Sequence, residues 1–236
     1  MNYKIDLTII TITFNNENEL LETYNSVEKL IIDYGVNHII INGGSKLKNI
    51  SKFQSYIIQE KDTGIYNALN KGVNKVKTNN LMFLHSGDII YDIGALLNLF
   101  NLKKNKSLDL IIAKTRIGIN SENKIRYHSS KFWRPWMLKF HCQPPHLATI
   151  YSTSLFLDFE FNENLFIISD FYMFKHFFSK NIAWLNDPRL LIIQLENGKS
   201  SNSIDVTKEF GKKEGYLKAF LIYPFRIFFK LILSIK

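Results

Sequence analysis

The segment Leu81–Asp88 reads LMFLHSGD, a composition that indicates a buried strand followed by a tight turn. Its first five residues are apolar or nearly so, as in strands that are buried on both faces of a sheet. The run stops at Ser86-Gly87-Asp88, where glycine permits a sharp turn and a carboxylate follows at once. Because ligands of open α/β sheets bind beyond the carboxyl ends of strands, Asp88 is a candidate ligand for a metal–phosphate group. The alternative is that Asp88 caps a helix predicted over Asp92–Asn101.

Length and charge restrict the class of protein. A chain of 236 residues fits one large domain or a domain with an appendage. The net charge of +9 and the pI near 9.4 favour an anionic partner: nucleic acid, acidic lipid or nucleotide phosphate. Cys142 is the single cysteine, which excludes an internal disulfide and a cysteine-based zinc site. The first residues carry Lys4 and Asp6 and lead straight into a strand, so we expect no signal peptide and a cytoplasmic protein.

The first hundred residues predict an alternation of strands and helices. Strands are predicted at Leu7–Phe14, Val36–Ile41, Tyr56–Gln59 and from Leu81. One helix is predicted after Asn16, where Glu19 completes a capping box, and a second over Gly64–Lys77. This order predicts an α/β fold with a mostly parallel sheet. The strand ends would place Phe14-Asn15, Asn42–Ser45 and Ser86–Asp88 on a common edge.

The second half has a different pattern. A hairpin is predicted from Asp109–Lys114 and Lys124–His128 around Asn120–Asn123. Lys131–His146 is rich in aromatic and basic residues, as segments that line a site often are. A strand at Ala148–Tyr151, a helix at Asp170–Phe178 and a strand at Arg189–Leu195, ended by Glu196-Asn197-Gly198, are also predicted.

Several of these segments resemble motifs of a known family. Phe14-Asn15-Asn16, Ile41–Ser45 (INGGS) and Glu60–Gly72 (EKDTGIYNALNKG) resemble the opening strand end, the DGGS turn and the E-x-D-x-G-I-Y-D-A-M-N-K-G segment of family 2 glycosyltransferases. Phe83–Asp88 resembles F-L-N-S-G-D, the form of the D-x-D metal motif in a surface-polysaccharide branch. Further similar motifs are Pro145-His146, Phe161-Asn162-Glu163 and Ile168–Tyr172. Together they cover roughly residues 6–200.

The resemblance implies a GT-A fold and a nucleotide-diphosphate sugar as donor, with a UDP-sugar favoured. Residues 1–205 would form the GT-A domain, with a nucleotide-sugar half (1–100) and an acceptor half (101–205). Asn42 stands where relatives have an acidic residue that binds the base, and its amide can still donate and accept. The implied donor-binding residues are Thr13, Phe14, Asn15, Asn42, Asp62, Ser86, Gly87 and His146.

The resemblance also assigns the chemistry. Asp88 would bind a divalent cation, Mn²⁺ or Mg²⁺, although Ser86 replaces the first aspartate of the fuller motif. Asp170 would be the catalytic base of an inverting displacement. Each assignment has a plainer alternative: Asp62 as the N-cap of the helix at Gly64, Asp170 as the cap of a helix from Phe171, and His146 as a structural residue. For Trp133 and Trp136 there are two interpretations: the rings stack on a sugar, or they pack in the core.

The tail, Tyr216–Lys236, is apolar but carries four cations. On a helix, Lys218, Arg226, Lys230 and Lys236 fall on one arc, which favours an interfacial amphipathic helix over a spanning one. The alternative is a helix docked on the protein's own core. We therefore expect residues 206–236 to be a basic membrane-associating tail. The protein would lie on the inner face of a bacterial membrane and use a polyprenyl-diphosphate-linked acceptor in surface-polysaccharide or lipopolysaccharide (O-antigen) synthesis.

Two other classes fit parts of the pattern. A nucleotidyltransferase of related α/β fold would also use a carboxylate and a metal. A basic membrane- or nucleic-acid-binding protein would explain the charge, but no recognised nucleic-acid motif occurs, so we expect no nucleic-acid partner.

Overall fold

The structure, a computed structural model, describes residues 4–118, 126–194 and 203–234. The strands are β1 (Thr8–Thr13), β2 (Asn37–Asn42), β3 (Tyr56–Gln59), β4 (Asn80–His85), β5 (Ile89–Ile90), β6 (Leu110–Ile117), β7 (Arg126–His128), β8 (Thr149–Ser152) and β9 (Trp184–Gln194). The α-helices are α1 (Glu17–Tyr34), α2 (Ile65–Val73), α3 (Ile93–Asn105), α4 (Ser169–Phe178), α5 (Ser203–Glu214) and α6 (Tyr216–Leu233). Short 3-10 helices occupy Ile50–Lys52, Pro135–Phe140 and Thr153–Phe156.

One mixed sheet organises the molecule. Its strand order is β3-β2-β1-β4-β8-β6-β9-β5, and β7 pairs with β6. The pairs β1–β2, β1–β4 and β2–β3 are parallel, as predicted for the first half. In the second half β8 runs antiparallel to both β4 and β6, while β6 and β9 are parallel. The α/β fold class is confirmed, with the parallel pairs concentrated in the first half.

Helices cover both faces of the sheet. All six residues of β1 are buried, because its alternate side chains face two separate cores. On one face, α1 and α3 pack against side chains such as Ile9 and Met82. On the other face, Ile10 and Phe83 belong to the core that includes residues of α2, α4, α5 and α6. The sheet therefore lies between two packed helical layers.

Local predictions have different outcomes: one is wrong, one is confirmed, and others concern residues outside the described ranges. Asn16 occupies the N-cap position of α1, but its side chain makes no capping bond, so the predicted capping box is wrong. Instead Glu17 accepts hydrogen bonds from the amides of Lys48 (3.0 Å) and Asn49 (2.8 Å). The predicted hairpin is confirmed as β6–β7. Its turn at Asn120–Asn123, together with Lys124, Leu195–Gly198, Ile235 and Lys236, lies outside the described residues.

The C-terminal helices pack on the domain. The boundary predicted at residues 205/206 falls inside α5, and side chains from α5 and α6 belong to the same core as α2 and α4. The buried members are Val206, Phe210, Ala219, Phe229 and Leu233. One face of the predicted membrane helix is thus docked on the protein itself. Within the described ranges, every helix is too short or too polar to cross a membrane.

Candidate active site

The three predicted turns meet at one edge of the sheet. Thr13 of β1 pairs with Asn42 of β2, and Ile12 is in register with His85 of β4. The segments that leave these strands are therefore adjacent, as the common-edge prediction required. Their turns also touch, because Asn15 accepts a hydrogen bond from the Ser45 amide (2.7 Å) through its side-chain oxygen. Asn15 adopts a left-handed backbone conformation (φ 56°) to make this contact.

The residues predicted to bind the base differ in accessibility. Phe14 is 63% exposed at the end of β1, where its ring is available to a ligand. Thr13 is buried, and its hydroxyl has no hydrogen-bond partner among the described residues. Asn42 is buried as well, and its amide shapes its own turn: it donates to the Ser45 carbonyl (2.8 Å) and accepts from the Gly44 amide (3.1 Å). Asn42 thus holds its own turn. Its contact with a nucleotide base stays a prediction.

Asp62 lies directly against the glycine turn. A Cβ atom added to Gly43 would fall 1.6 Å from Asp62 Oδ2, so only glycine leaves room for this carboxylate. Burial raises the pKa of Asp62, while the nearby Lys71 charge opposes that rise. The N-cap of α2 is Gly64. The interpretation of Asp62 as the N-cap residue is therefore wrong, and its carboxylate faces the turn Asn42–Ser45. This turn, together with Phe14-Asn15 and Ser86–Asp88, is named here the donor edge, because the resemblance predicts donor binding there.

Asp88 occupies a buried turn against α1. The Gly87 amide donates to Thr23 Oγ1 (2.8 Å), and Gly87 has a positive φ of 95°, which favours glycine. Asp88 is only 3% exposed and accepts a hydrogen bond from the His85 amide (2.8 Å). Burial raises the pKa of Asp88 to about 8, and the Glu19 charge contributes to the rise. The alternative role as a helix cap is wrong, because α3 is capped by Asp92, which accepts from the Ala95 amide (3.0 Å).

The position of Asp88 fits a divalent cation that is also coordinated by oxygen atoms of the substrate. Across residues 4–118, 126–194 and 203–234, no group of three or more His, Cys, Asp or Glu side chains gathers to hold a metal. Asp88 is one carboxylate whose ionisation is costly in its buried setting, and a cation beside it would offset that cost. Magnesium and manganese take oxygen ligands from phosphate and water as well as from protein. Asp88 alone therefore fits the single-carboxylate prediction.

Three donors hold the carboxylate of Asp170 in the first turn of α4. Oδ1 accepts from the Tyr66 hydroxyl (3.3 Å) and the Phe171 amide (3.0 Å), and Oδ2 accepts from the Gln143 side-chain amide. The N-cap of α4 is Ile168, so Asp170 lies inside the helix and is not its cap. Burial raises the pKa of Asp170 to about 6, against the lowering effect of these donors. At neutral pH the group is mostly ionised and able to accept a proton.

Tyr66 connects Asp170 to the donor edge. It lies four residues after Asp62, and its hydroxyl accepts from the Ser169 amide (3.0 Å) while donating to Asp170. Its ring stacks on Phe161 with centroids 5.6 Å apart. The segment that touches the glycine turn thus also fixes the carboxylate of α4.

The amide of Asn70 joins the two halves of the sequence in the same region. It donates to the Phe161 carbonyl (2.9 Å) and accepts from the Phe161 amide (2.9 Å). Nearby, Glu163 accepts from Asn67 (3.0 Å) and Asn70 (3.0 Å). These bonds fix α2 against the chain that leads into α4, so the donor edge and Asp170 keep a defined spacing.

Comparison with known proteins assigns the family. Residues 8–166, about two thirds of the chain, match the model described as Glycosyl transferase family 2. The chain belongs to glycosyltransferase family 2. Uncharacterized glycosyltransferase Rv1514c of Mycobacterium tuberculosis is 34% identical over 88 residues, which is 35% of this chain and 34% of the relative. The match therefore spans about a third of the curated relative's length.

Solved structures agree in fold. S. aureus TarS residues 1–349, in complex with UDP-GlcNAc, has a TM-score of 0.65 at 15% identity, covering 94% of this chain and 71% of that one. The mannosyltransferase PcManGT from Pyrobaculum calidifontis, in complex with GDP-Man and Mn²⁺, has a TM-score of 0.62 at 12% identity, covering 98% and 73%. At these identities the likeness shows the GT-A architecture of this family 2 chain.

His146 is held in the core beneath the site of this family 2 protein. Its ring stacks on Phe83 (5.0 Å between centroids), and its Nδ1 lies 3.2 Å from the Tyr151 hydroxyl. Burial lowers the pKa of His146 to about 3 and that of His85 to about 4, so both rings are neutral at physiological pH. The Nε2 atoms of both rings have no hydrogen-bond partner among the described residues. His146 therefore supplies a neutral imidazole, with no positive charge for a diphosphate.

The two tryptophans have different surroundings. Trp133 is fully buried, with Nε1 donating to the Cys142 carbonyl (3.0 Å), which fits the core-packing interpretation. Trp136 is 47% exposed and packs edge-on against Phe229 of α6. It lies on a surface that continues to the C-terminal helix.

Helix α5 supports the segment around Asp170 from outside the matched range 8–166. Glu209 accepts from three consecutive amides just before α4, those of Phe166 (2.5 Å), Ile167 (2.8 Å) and Ile168 (3.1 Å). Glu214 lies 3.2 Å from His141 Nε2, two residues before Gln143. Helix α5 thus holds the segment just before α4 and the segment that carries Gln143, one of the hydrogen-bond donors to Asp170.

Sequence reasoning missed four residues of this support. Tyr66 lies inside the segment Glu60–Gly72, and an aromatic ring at the start of a helix was the only feature that marked it. Gln143 lies in the aromatic segment 131–146, and no adjacent residue forms with it a motif that would indicate a role. Glu209 and Glu214 had no local signal, because their partners are distant in the sequence.

Proposed function

We propose that this protein is an inverting glycosyltransferase that moves a sugar from a nucleotide-diphosphate sugar to a hydroxyl of a saccharide acceptor. One observation carries the proposal: Tyr66, four residues after Asp62, holds Asp170, and Asp62 itself lies on the Gly43 turn. The residues implied to bind the donor and the implied base therefore belong to one connected cluster. The GT-A likeness and the family membership support the same reaction class.

Asp170 has the chemistry that a general base needs. Its carboxylate takes the proton of the acceptor hydroxyl as that oxygen forms a bond to the anomeric carbon. The bond between the anomeric carbon and the diphosphate oxygen breaks, and its electron pair leaves with the nucleoside diphosphate. A pKa near 6 keeps the base ionised at neutral pH while leaving it basic enough to hold the proton. Attack on the face opposite the leaving group inverts the anomeric configuration.

The donor edge would bind and orient the nucleotide. Phe14 offers an exposed ring to the base, and Asp62 accepts from ribose or sugar hydroxyls at the glycine turn. Asn15, Ser86 and Gly87 belong to the backbone turns at this edge, and the neutral His146 lies beneath it. A divalent cation held by Asp88 would offset the charge of the departing diphosphate. Mn²⁺ occurs with GDP-Man in PcManGT, and UDP-GlcNAc occurs with TarS; these complexes support a nucleotide-sugar donor. Within that class we propose a UDP-sugar.

We extend the proposal to a polyprenyl-diphosphate-linked saccharide acceptor in bacterial surface-polysaccharide or lipopolysaccharide synthesis. The SGD motif and the basic C-terminal helices support this choice. Such an enzyme would act as a peripheral protein on the inner face of the cell membrane.

The test separates binding from chemistry. Wild-type protein and Asp170→Asn are assayed for thermal shifts with UDP, GDP, CDP, TDP and their sugars, with and without Mn²⁺, because binding to the folded state raises the midpoint. We expect one nucleotide to shift both proteins and Asp170→Asn to lose roughly 10²- to 10⁴-fold in turnover. Asp33→Asn, at an exposed site late in α1, is the matched control and should match wild type. Full turnover by Asp170→Asn, or no shift with any nucleotide, would contradict the proposal.

A further inference from the structure

Helix α6 has two faces of different character. Ala219, Arg226, Phe229 and Leu233 are buried against the domain. The opposite face carries large apolar side chains that are 52–74% exposed and recur at helical spacing. They are Leu217, Phe220, Leu221, Phe225, Phe228 and Leu231, here named the α6 stripe. Isolated exposed apolar residues are ordinary, but a continuous stripe of six marks an interaction surface.

The α6 stripe continues onto the 3-10 helix Pro135–Phe140. Phe140 packs against Phe225 (5.2 Å between ring centroids), and the exposed Trp136 meets Phe229 edge-on at 5.3 Å. The chain then passes through His141 to Gln143, whose side-chain amide holds Asp170. The apolar surface therefore borders the segment that reaches the proposed base.

Exposed lysines occur on the same two C-terminal helices. Lys208, Lys212 and Lys213 are exposed on α5, and Lys218 and Lys230 are exposed on α6. Lys218 pairs with Glu214, so its charge is partly balanced. The whole chain carries a net charge of +9. Exposed aromatic and leucine side chains, together with exposed lysines on the same pair of helices, match the interfacial zone of a bilayer that contains anionic lipids.

We propose that the α6 stripe, together with Trp136, binds the interface of an anionic lipid bilayer. Because α6 is docked along the domain by its other face, it lies along the protein surface with the stripe turned outward. Binding would bring the Pro135–Gln143 segment, and with it the acceptor side of the site, to the membrane. The substrate class that follows is an acceptor whose lipid remains in the bilayer; this part rests on the proposed glycosyl transfer.

The experiment compares vesicle binding by full-length variants. Phosphatidylcholine vesicles, with and without phosphatidylglycerol, are sedimented with wild type, with Phe220→Glu/Phe228→Glu and with Ile32→Glu/Leu157→Glu. The control pair introduces the same charges at exposed apolar residues outside α6. Point variants are used because removal of α5 and α6 would strip buried residues from the core and Glu209 from the site. We expect wild type and control to bind anionic vesicles, and the stripe variant to bind at least about tenfold less.

A second comparison addresses charge. Lys212→Glu/Lys213→Glu should lose binding to anionic vesicles, whereas Lys29→Glu/Lys75→Glu, at exposed sites outside α5 and α6, should bind much as wild type does. Equal loss by both pairs would show a general effect of net charge and overturn the localised surface.

The outcomes separate this inference from the proposed function. Thermal shifts with the nucleotide are measured for every variant. A donor shift in wild type without vesicle binding would overturn the membrane surface and leave the glycosyl transfer standing. A wild-type dimer that becomes monomeric in Phe220→Glu/Phe228→Glu, without vesicle binding, would assign the α6 stripe to a second copy and overturn the inference. Vesicle binding without a thermal shift by any nucleotide would support the membrane-binding surface and contradict the proposed glycosyl transfer.

Discussion

The proposed donor edge and the proposed acceptor side of this protein, around Asp170, are built in different ways. At the donor edge, three turns follow neighbouring strands, and their positions depend on strand register and on glycine. On the acceptor side, Asp170 is held by side chains 104 residues (Tyr66) and 27 residues (Gln143) away in sequence. Glu209 then fixes the segment before Asp170 from beyond the range that matches the family. Backbone geometry dominates one side, and long-range side-chain contacts dominate the other.

The largest expected effect in this comparison comes from Gly43→Ala. The added Cβ would lie 1.6 Å from Asp62 Oδ2, so the carboxylate must move from the donor edge. Loss of one hydrogen bond to a charged group corresponds to roughly 10- to 100-fold in donor affinity, which calorimetry with the nucleotide would measure. Gly118→Ala is the control, since its Cβ would meet nothing closer than 3.8 Å.

A companion variant makes this test sharper. Gly43→Ala/Asp62→Ala removes the clash, so we expect it to recover thermal stability while donor affinity stays low. Recovery of affinity in the double variant would show that the turn itself, and not Asp62, binds the donor.

The next effect tests the acceptor side. Tyr66→Phe removes a hydrogen bond that favours ionised Asp170, so the pKa of Asp170 should rise above about 6. Because the base acts in its ionised form, kcat should increase with pH through that pKa, and the acidic limb should move to higher pH in the variant. Turnover at neutral pH should fall roughly tenfold. Donor affinity should stay near that of wild type.

Measurement requires kcat across the pH range for wild type, Tyr66→Phe and Tyr56→Phe, the last at an exposed tyrosine. An acidic limb that stays in place in Tyr66→Phe would mean that Asp170 does not set the pH dependence.

The same contrast explains what could be predicted from sequence. Leu81–Asp88 and the glycine turn are local patterns, so the parallel half of the sheet and its edge were predicted from a few residues. The hydrogen bonds by which Asn42 holds its own turn could not be predicted, because residue type does not reveal this geometry. The burial of Arg226 was not predicted for a related reason: the hydrophobic pattern of α6 predicts an apolar face, but not that this cation lies against the domain.

A smaller effect is expected at the metal position. In metal-free protein the pKa of Asp88 is raised to about 8, so the stability that protonated Asp88 contributes is fully present below its ordinary pKa. This stability is lost progressively as the pH rises from that value to about 8, because the unfolded chain ionises first. Asp88→Asn stays neutral and should therefore melt about 2–4 °C higher than wild type in metal-free buffer above pH 8. Addition of Mn²⁺ with the nucleotide should raise the melting temperature of wild type more than that of the variant. An equal response to Mn²⁺ in both proteins would place the cation away from Asp88.

The smallest expected effect comes from Glu209→Gln. The neutral amide still offers one oxygen but binds the Phe166–Ile168 amides less strongly, because hydrogen bonds to a charged group are stronger. Looser anchoring of the segment before α4 should lower kcat by roughly two- to fivefold and leave donor affinity unchanged. Glu160→Gln, at an exposed glutamate outside α5, is the matched control. A positioning role also predicts a shift in the acidic limb of kcat, because Asp170 directly follows this segment. A lower melting temperature with unchanged kcat and pH profile would reduce Glu209 to a contact that stabilises the fold.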